Sequence, residues 1–283
     1  MAPIPLPAEV LHYVAERRCD DGGYCFYRLP EPNAADTHFA LAIQARLGTV
    51  LPDPETVAFL RSLQRPDGSF PNIFVADHVL AGLALLGGTP LHDPAEYLLS
   101  HLATLGDHER PPEQLSALEG VRAALRACRL TGTPYDRETH DGILCHIRSF
   151  RHPDGGFGAG QSTLGETADA LEVLTLLGRP EEAARAAPFI ASAERPEAGF
   201  FFLEPVAALV RACHLLGRPL RSPGQVRSFV LGLRHHAGGF VRSRFGGAPT
   251  LEFSYLAIET LVLLDRDADP SPRGDPPEPL RYR

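Results

Sequence analysis

The chain contains no lysine: all 27 of its basic residues are arginine. A Schiff-base lysine is therefore impossible, and so is the lysine of a phosphate-binding P-loop. Tryptophan is also absent and methionine occurs once. The five cysteines (Cys19, Cys25, Cys128, Cys145 and Cys213) are scattered, odd in number and never arranged as CxxC, which reads as reduced thiols in a cytosolic protein. No apolar run reaches about 18 residues, so no transmembrane segment is expected. The basic excess that nucleic-acid binding needs is missing as well. The net charge is -8, and the last 18 residues balance four arginines against four acids, so the body of the protein carries the whole negative excess. Abundant Ala, Gly and Pro beside an all-arginine basic set point to a GC-rich, bacterial genome.

What the chain does have is a repeat. A Gly-rich turn, then a helix ending in Leu-Leu-Gly or its like, recurs about once every 43 residues, in six copies. The clearest copy runs from Arg151 to Pro180. Gly48, Gly87, Gly132, Gly178 and Gly217 close the second helix of five copies, and Asp265 holds that place in the sixth. A glycine there takes the left-handed cap, and the Pro that often follows stops the helix. Before each cap lies an Ala/Leu-rich stretch suited to a closely packed inner helix. Before that comes a turn such as D-D-G-G-Y, P-D-G-S-F or P-D-G-G-F, whose aromatic is placed to plug the gap between hairpins. The third copy is degenerate here, reading G-D-H-E-R-P-P. A repeat of this length means stacked helical hairpins. The expected division is one domain over residues 1–265 and a Pro-rich, poorly ordered tail over 266–283.

Twelve or thirteen residues before the caps stand Asp36, Glu119, Glu166, Glu204 and Glu252, with Asp77 slightly later in copy two. Acids favour helix starts simply because they cap free N–H groups and meet the positive dipole end. Other polar sets have plainer readings. His140, Asp141, Cys145 and His146 have helical ligand spacing but lie on a predicted outer helix, where packing or solvent accounts for them. Cys128 and Cys213 read as core.

Outer helix, P-D-G-G-F turn and small-residue inner helix ending L-x-x-L-G together resemble the repeat of the prenyltransferase β subunits and squalene cyclases, from Cys19 to Asp265. The resemblance implies an all-α fold, a six-hairpin (α/α)6 toroid whose inner helices line a central cavity, with copy six closing on copy one. It also implies that the helix starts face that cavity. Class II cyclases of this superfamily carry D-x-D-D-T-A there, the middle Asp protonating an alkene or epoxide. Copy four reads T-L-G-E-T-A: Glu166 and Thr167 match the end of the motif, but Gly165 occupies the protonating slot. Copy one has Ala35 in that slot, and only copy six puts an acid there, Glu252. Prenyltransferase β subunits carry D-x-C-Y followed in the next copy by a zinc-binding His. Here Glu252-Phe253-Ser254-Tyr255 stands in place of D-x-C-Y, with Asp36 and His38 across the closure. Zinc is not expected without the Cys; Mg²⁺ would suit a diphosphate substrate better.

The resemblance thus implies a terpene-cyclase-like enzyme, an isomerase or lyase, acting on an isoprenoid by protonation or ionisation and cation steering. Glu252, Asp36, His38 and Glu166 are the candidate catalytic residues. Tyr255, Phe202 and Asp77 are candidates to bind substrate, and Arg242 and Arg244 to hold an anionic head group. Prenyl transfer and a non-catalytic lipid-binding or scaffold toroid are the alternatives. An open apolar tunnel with convergent acids favours an enzyme, and a cavity filled by large side chains favours a scaffold. The expected partner is an isoprenoid small molecule, in a cytoplasmic monomer or homodimer, at most peripheral to a membrane.

Overall fold

The computed structural model describes residues 7–26, 31–105, 118–194 and 200–268. The Pro-rich ends, the degenerate turn of copy three and most of the turn of copy five lie outside the described residues. In chain order, outer and inner helices alternate: α1 (Pro7–Ala15), α2 (Ala34–Arg46), α3 (Pro54–Ser62), α4 (Ile73–Leu85), α5 (Ala95–Ala103), α6 (Glu119–Thr131), α7 (Arg137–Ser149) and α8 (Leu164–Leu176). In copy five the outer element is broken into α9 (Pro180–Ala183), a 3-10 turn and α10 (Ala187–Ala193). The chain continues with α11 (Leu203–Leu215), α12 (Pro223–Leu231) and α13 (Leu251–Ala268). Among the described residues, extended backbone forms only isolated β-bridges. No described helix is long and apolar enough to cross a membrane.

The helices start and stop where local chemistry says they should. Asn33, Asn72 and Thr163 cap α2, α4 and α8 by accepting a hydrogen bond from a backbone N–H in the first turn. The five cap glycines all have φ between 61° and 70°, the left-handed region that a Cβ disfavours. Small buried residues such as Ala40, Ala76, Ala123, Ala170 and Ala212 let the inner helices pack closely. These helices pack in sequence, α2 on α4, α4 on α6, α6 on α8, α8 on α11 and α11 on α13, and α13 returns to α2. The result is a closed six-hairpin toroid.

The Gly-rich turns lock neighbouring hairpins. A Cβ on Gly68 would lie 2.1 Å from the carbonyl oxygen of Asp93, and one on Gly155 would lie 2.2 Å from that of Arg185. Each turn thus presses on the next outer element, and Gly238 of copy six presses in the same way on Glu9 of α1. The following aromatics, Tyr24, Phe70, Phe157 and Phe240, are buried. In three copies the N–H of that aromatic donates to a hydroxyl of the inner helix: Tyr24 to Thr37 at 2.9 Å, Phe157 to Thr167 at 2.9 Å and Phe240 to Ser254 at 3.1 Å. The hydroxyl that trails each helix-start region is therefore a strut.

Candidate active site at the mouth of the toroid

The inner helices present their N-termini to one mouth of the ring. Most of the mouth acids are occupied. Asp36 accepts from Asn33 Nδ2 at 2.6 Å while its own N–H donates to Asn33 Oδ1 at 2.9 Å. Burial raises its carboxyl above the usual range, and Asn33 and Arg17 pull it back. Glu166 accepts from the N–H of Ala159 and from Thr163 Oγ1, both at 3.1 Å, and donates its N–H back to Thr163, a reciprocal cap. Glu204 accepts from Arg242 Nε at 2.5 Å. Glu119, 3.9 Å from Arg122, is raised chiefly by burial.

Glu252 differs from all of these. It is exposed, and it makes no hydrogen bond or ion pair with any described residue. Yet its carboxyl is raised, first by desolvation, then by the charges of Glu204, Asp36 and Glu119, with Arg242 opposing. Glu119 belongs to α6, directly opposite α13 in the ring, so the acids converge on one space. That environment shifts the Glu252 carboxyl upward from the ordinary glutamate range.

One to two turns deeper the lumen is lined by alternating charge. Arg126 on α6 grips Asp77 on α4 with two 2.6 Å hydrogen bonds. Arg122 on α6 lies 3.1 Å from Asp169 on α8, and Arg211 on α11 lies 2.8 Å from the same carboxylate. Glu172 on α8 stands 3.8 Å from Arg122 and 3.4 Å from Arg211. Arg46 on α2 meets Glu259 on α13 at 2.9 Å. Around the ring the helices thus contribute cation, anion, cation, anion, cation, anion. Between α2 and α4, His38 Nδ1 and His78 Nδ1 are 2.9 Å apart. Burial holds both imidazoles below their ordinary value, helped by Arg126 and Arg122, and His78 falls to about 4. The Tyr255 hydroxyl donates to Glu259 at 2.8 Å, its ring stacks on Phe39, and burial pushes its acidity out of reach. Arg126 acts electrostatically on Tyr255, which sits on the opposite helix, so the lattice spans the lumen.

Of the residues singled out in the sequence, the structure brings Glu252 and Asp36 within electrostatic reach of each other. His38 lies deeper, tied to His78, and Tyr255 is tied to Glu259. Asp77 belongs to the lattice through Arg126. Arg242 is committed to Glu204, and the Arg244 guanidinium lies over the Phe229 ring. Phe202 is 42 % exposed at the mouth, beside Phe201 at 54 % and Phe245 at 77 %. Sequence reasoning overlooked the lumen arginines. The signal was present: six residues before the cap position stand Arg126, Glu172, Arg211 and Glu259 in successive inner helices.

The residues do not fit a zinc site. Ser254, which occupies the place of the thiolate, is fully buried and donates to the carbonyl of Thr250 at 2.6 Å. Among the described residues no group of three or more His, Cys, Asp or Glu is disposed to hold a metal ion. A cleft of about 640 Å³ lies elsewhere, on the outside between α3 and the end of α4, where Asp53 is already paired with Arg18.

Residues 6–79, 92–202 and 189–274 match the model of the prenyltransferase alpha-alpha toroid domain, and the chain belongs to that family. No curated protein sequence matches it. Among solved structures it is similar to Candida albicans protein geranylgeranyltransferase-I complexed with GGPP, with a TM-score of 0.68 at 15% identity over 92% of each chain. It is also similar to the type II terpene cyclase MstE (R337A) from Scytonema in complex with geranylgeranyl dihydroxybenzoate. There the TM-score is 0.56 at 14% identity, over 93% of this chain and 96% of that one. At such identity the likeness is one of fold.

Proposed function

We propose that the protein is an acid-catalysed, terpene-cyclase-like enzyme that acts on an isoprenoid or similarly apolar small molecule at the mouth of the toroid, with Glu252 as proton donor. The observation that carries this is the state of Glu252: exposed, without a hydrogen-bond partner among the described residues, and raised by desolvation and three neighbouring carboxylates. The proton on Glu252 passes to one carbon of an alkene, whose π pair forms the new C–H bond. The adjacent carbon becomes the cation, and Glu252 becomes a carboxylate. Glu204 and Glu119 offset the positive charge, and the face of Phe202 stabilises it. After bond rearrangement a proton leaves a neighbouring carbon and returns to Glu252, which closes the cycle without net consumption of acid. The neighbouring fold relatives solved with geranylgeranyl compounds make isoprenoids the first substrates to test.

The charge-lined lumen supports a second reading, a binding or scaffold toroid without turnover. One experiment separates the two. Polyprenyl diphosphates and their alcohols are incubated with the protein, with and without Mg²⁺, and products are read by mass spectrometry. The enzyme reading expects turnover that Glu252→Gln lowers by about 10²–10⁴-fold, the usual worth of a general acid. Turnover unchanged in Glu252→Gln removes the assignment, and no turnover across the panel leaves the scaffold.

A further inference from the structure

We propose that the hydrocarbon chain of the substrate lies across the mouth rim formed by Phe201, Phe202 and Phe245, and not down the lumen. This rests on the mouth being the place of chemistry. The lumen is the obvious receptacle in a toroid, but here it is spanned by ion pairs. Asp77, Asp169 and Arg122 have side chains 5, 7 and 14 % exposed, and Arg126, Arg211 and Arg46 keep 24, 28 and 34 % of theirs in contact with water. A chain entering this level would lie against paired charges and strip water from them, a desolvation that a methylene chain cannot repay.

The rim offers what the lumen lacks. The Phe245 ring stacks on Phe201 at 6.2 Å with an interplanar angle of 5°, and lies 6.3 Å from Phe202. Three exposed phenylalanines, with the Phe245 ring against both of the others, form an apolar surface of the kind that marks a binding site. The local backbone holds them there: Leu203 N–H donates to the Arg242 carbonyl at 2.9 Å, and Phe202 pairs with Ser243 in a β-bridge. The rim is also continuous with the acid. Arg242 lies 5.2 Å over the Phe202 ring and donates to Glu204, whose charge in turn raises Glu252. The rim thus adjoins the charges that act on Glu252. Because Glu204 neutralises Arg242, the geometry favours an uncharged prenyl alcohol over a diphosphate.

The test is equilibrium binding of geraniol and geranylgeraniol, measured by calorimetry on the full-length protein, Phe201→Ser/Phe245→Ser, Asp77→Leu/Arg126→Leu and Glu252→Gln. Circular dichroism checks folding, and Arg211→Met replaces the lattice variant if that one does not fold. The longer alcohol is expected to bind more tightly, the rim variant to weaken it at least tenfold, and the lattice variant to stay within twofold of wild type. Three results overturn the proposal: wild-type affinity in the rim variant, an affinity change confined to the lattice variant, or no binding of either alcohol. It is equally overturned if the phenylalanines matter only for flotation with phosphatidylcholine vesicles or for self-association in sedimentation. Glu252→Gln that binds normally and also turns over normally sinks the acid assignment while the rim assignment stands.

Discussion

The Asp77–Arg126 pair permits a quantitative test of the charged lumen. The Asp77 side chain is 5 % exposed and that of Arg126 24 %. Removing Arg126 strands a carboxylate deep in the ring, so Arg126→Leu should cost about 3–5 kcal/mol. Removing Asp77 strands a guanidinium that is a quarter exposed and also feels Glu172, so Asp77→Leu should cost less, about 2–3 kcal/mol. The double variant replaces the pair by two apolar side chains and should lie within about 1 kcal/mol of wild type, because isosteric apolar replacement of a buried pair is often neutral. The coupling energy is then several kcal/mol. Urea unfolding followed by circular dichroism reads it: with a slope of about 3 kcal/mol/M, a 3 kcal/mol loss moves the midpoint by about 1 M. Single losses below about 1 kcal/mol that add within about 0.5 kcal/mol in the double variant would refute a closed, desolvated lattice.

Three further outcomes are expected. His78 is held at about 4 in the fold against 6.5 when free, so between these pH values the unfolded chain binds the proton and the folded one does not. Stability is therefore lost as pH falls through that window, by about 3 kcal/mol at the low end. A urea midpoint that stays flat from pH 7 to 5 would contradict this. Gly155→Ala puts a Cβ on a residue with φ of 89° and against the Arg185 carbonyl, and should cost at least about 2 kcal/mol in the same assay; a loss under 0.5 kcal/mol would deny the turn its locking role. Arg242→Met removes the cation that lowers Glu252, so the carboxyl rises further and the falling limb of the pH–rate profile moves to higher pH. A limb moving to lower pH speaks against the assignment.

Most of the fold was legible because each repeat announces itself locally. The cap glycines, the P-D-G-G-F turns and the small residues of the inner helices act over a few residues, so periodicity alone places them. The break in copy five, where three short segments replace one outer helix, has its own local mark in Pro188, which opens α10 and stops a continuous helix. The site was legible only in part. Glu252 and Asp36 stand at helix starts that repeat register identifies. The partners of His38, Asp77 and Arg242 lie about 40 to 50 residues away in the chain, and Arg46 meets Glu259, the neighbour of Tyr255 on its own helix, across the closure. No local pattern announces such pairings. The alternation of Arg126, Glu172, Arg211 and Glu259 is visible once the copies are aligned on their caps, but its meaning depends on all four facing one lumen.

That Glu252 is a crowded acid whose carboxyl is raised by its neighbours is read out by its own titration. The carboxyl carbons of glutamate labelled with ¹³C are followed by NMR across pH in wild type and in Glu252→Gln, so that the vanishing signal assigns the group. The expected midpoint lies clearly above the ordinary 4.5 of a glutamate, and rises again when Arg242 is replaced by Met. A midpoint at or below 4.5 would contradict it.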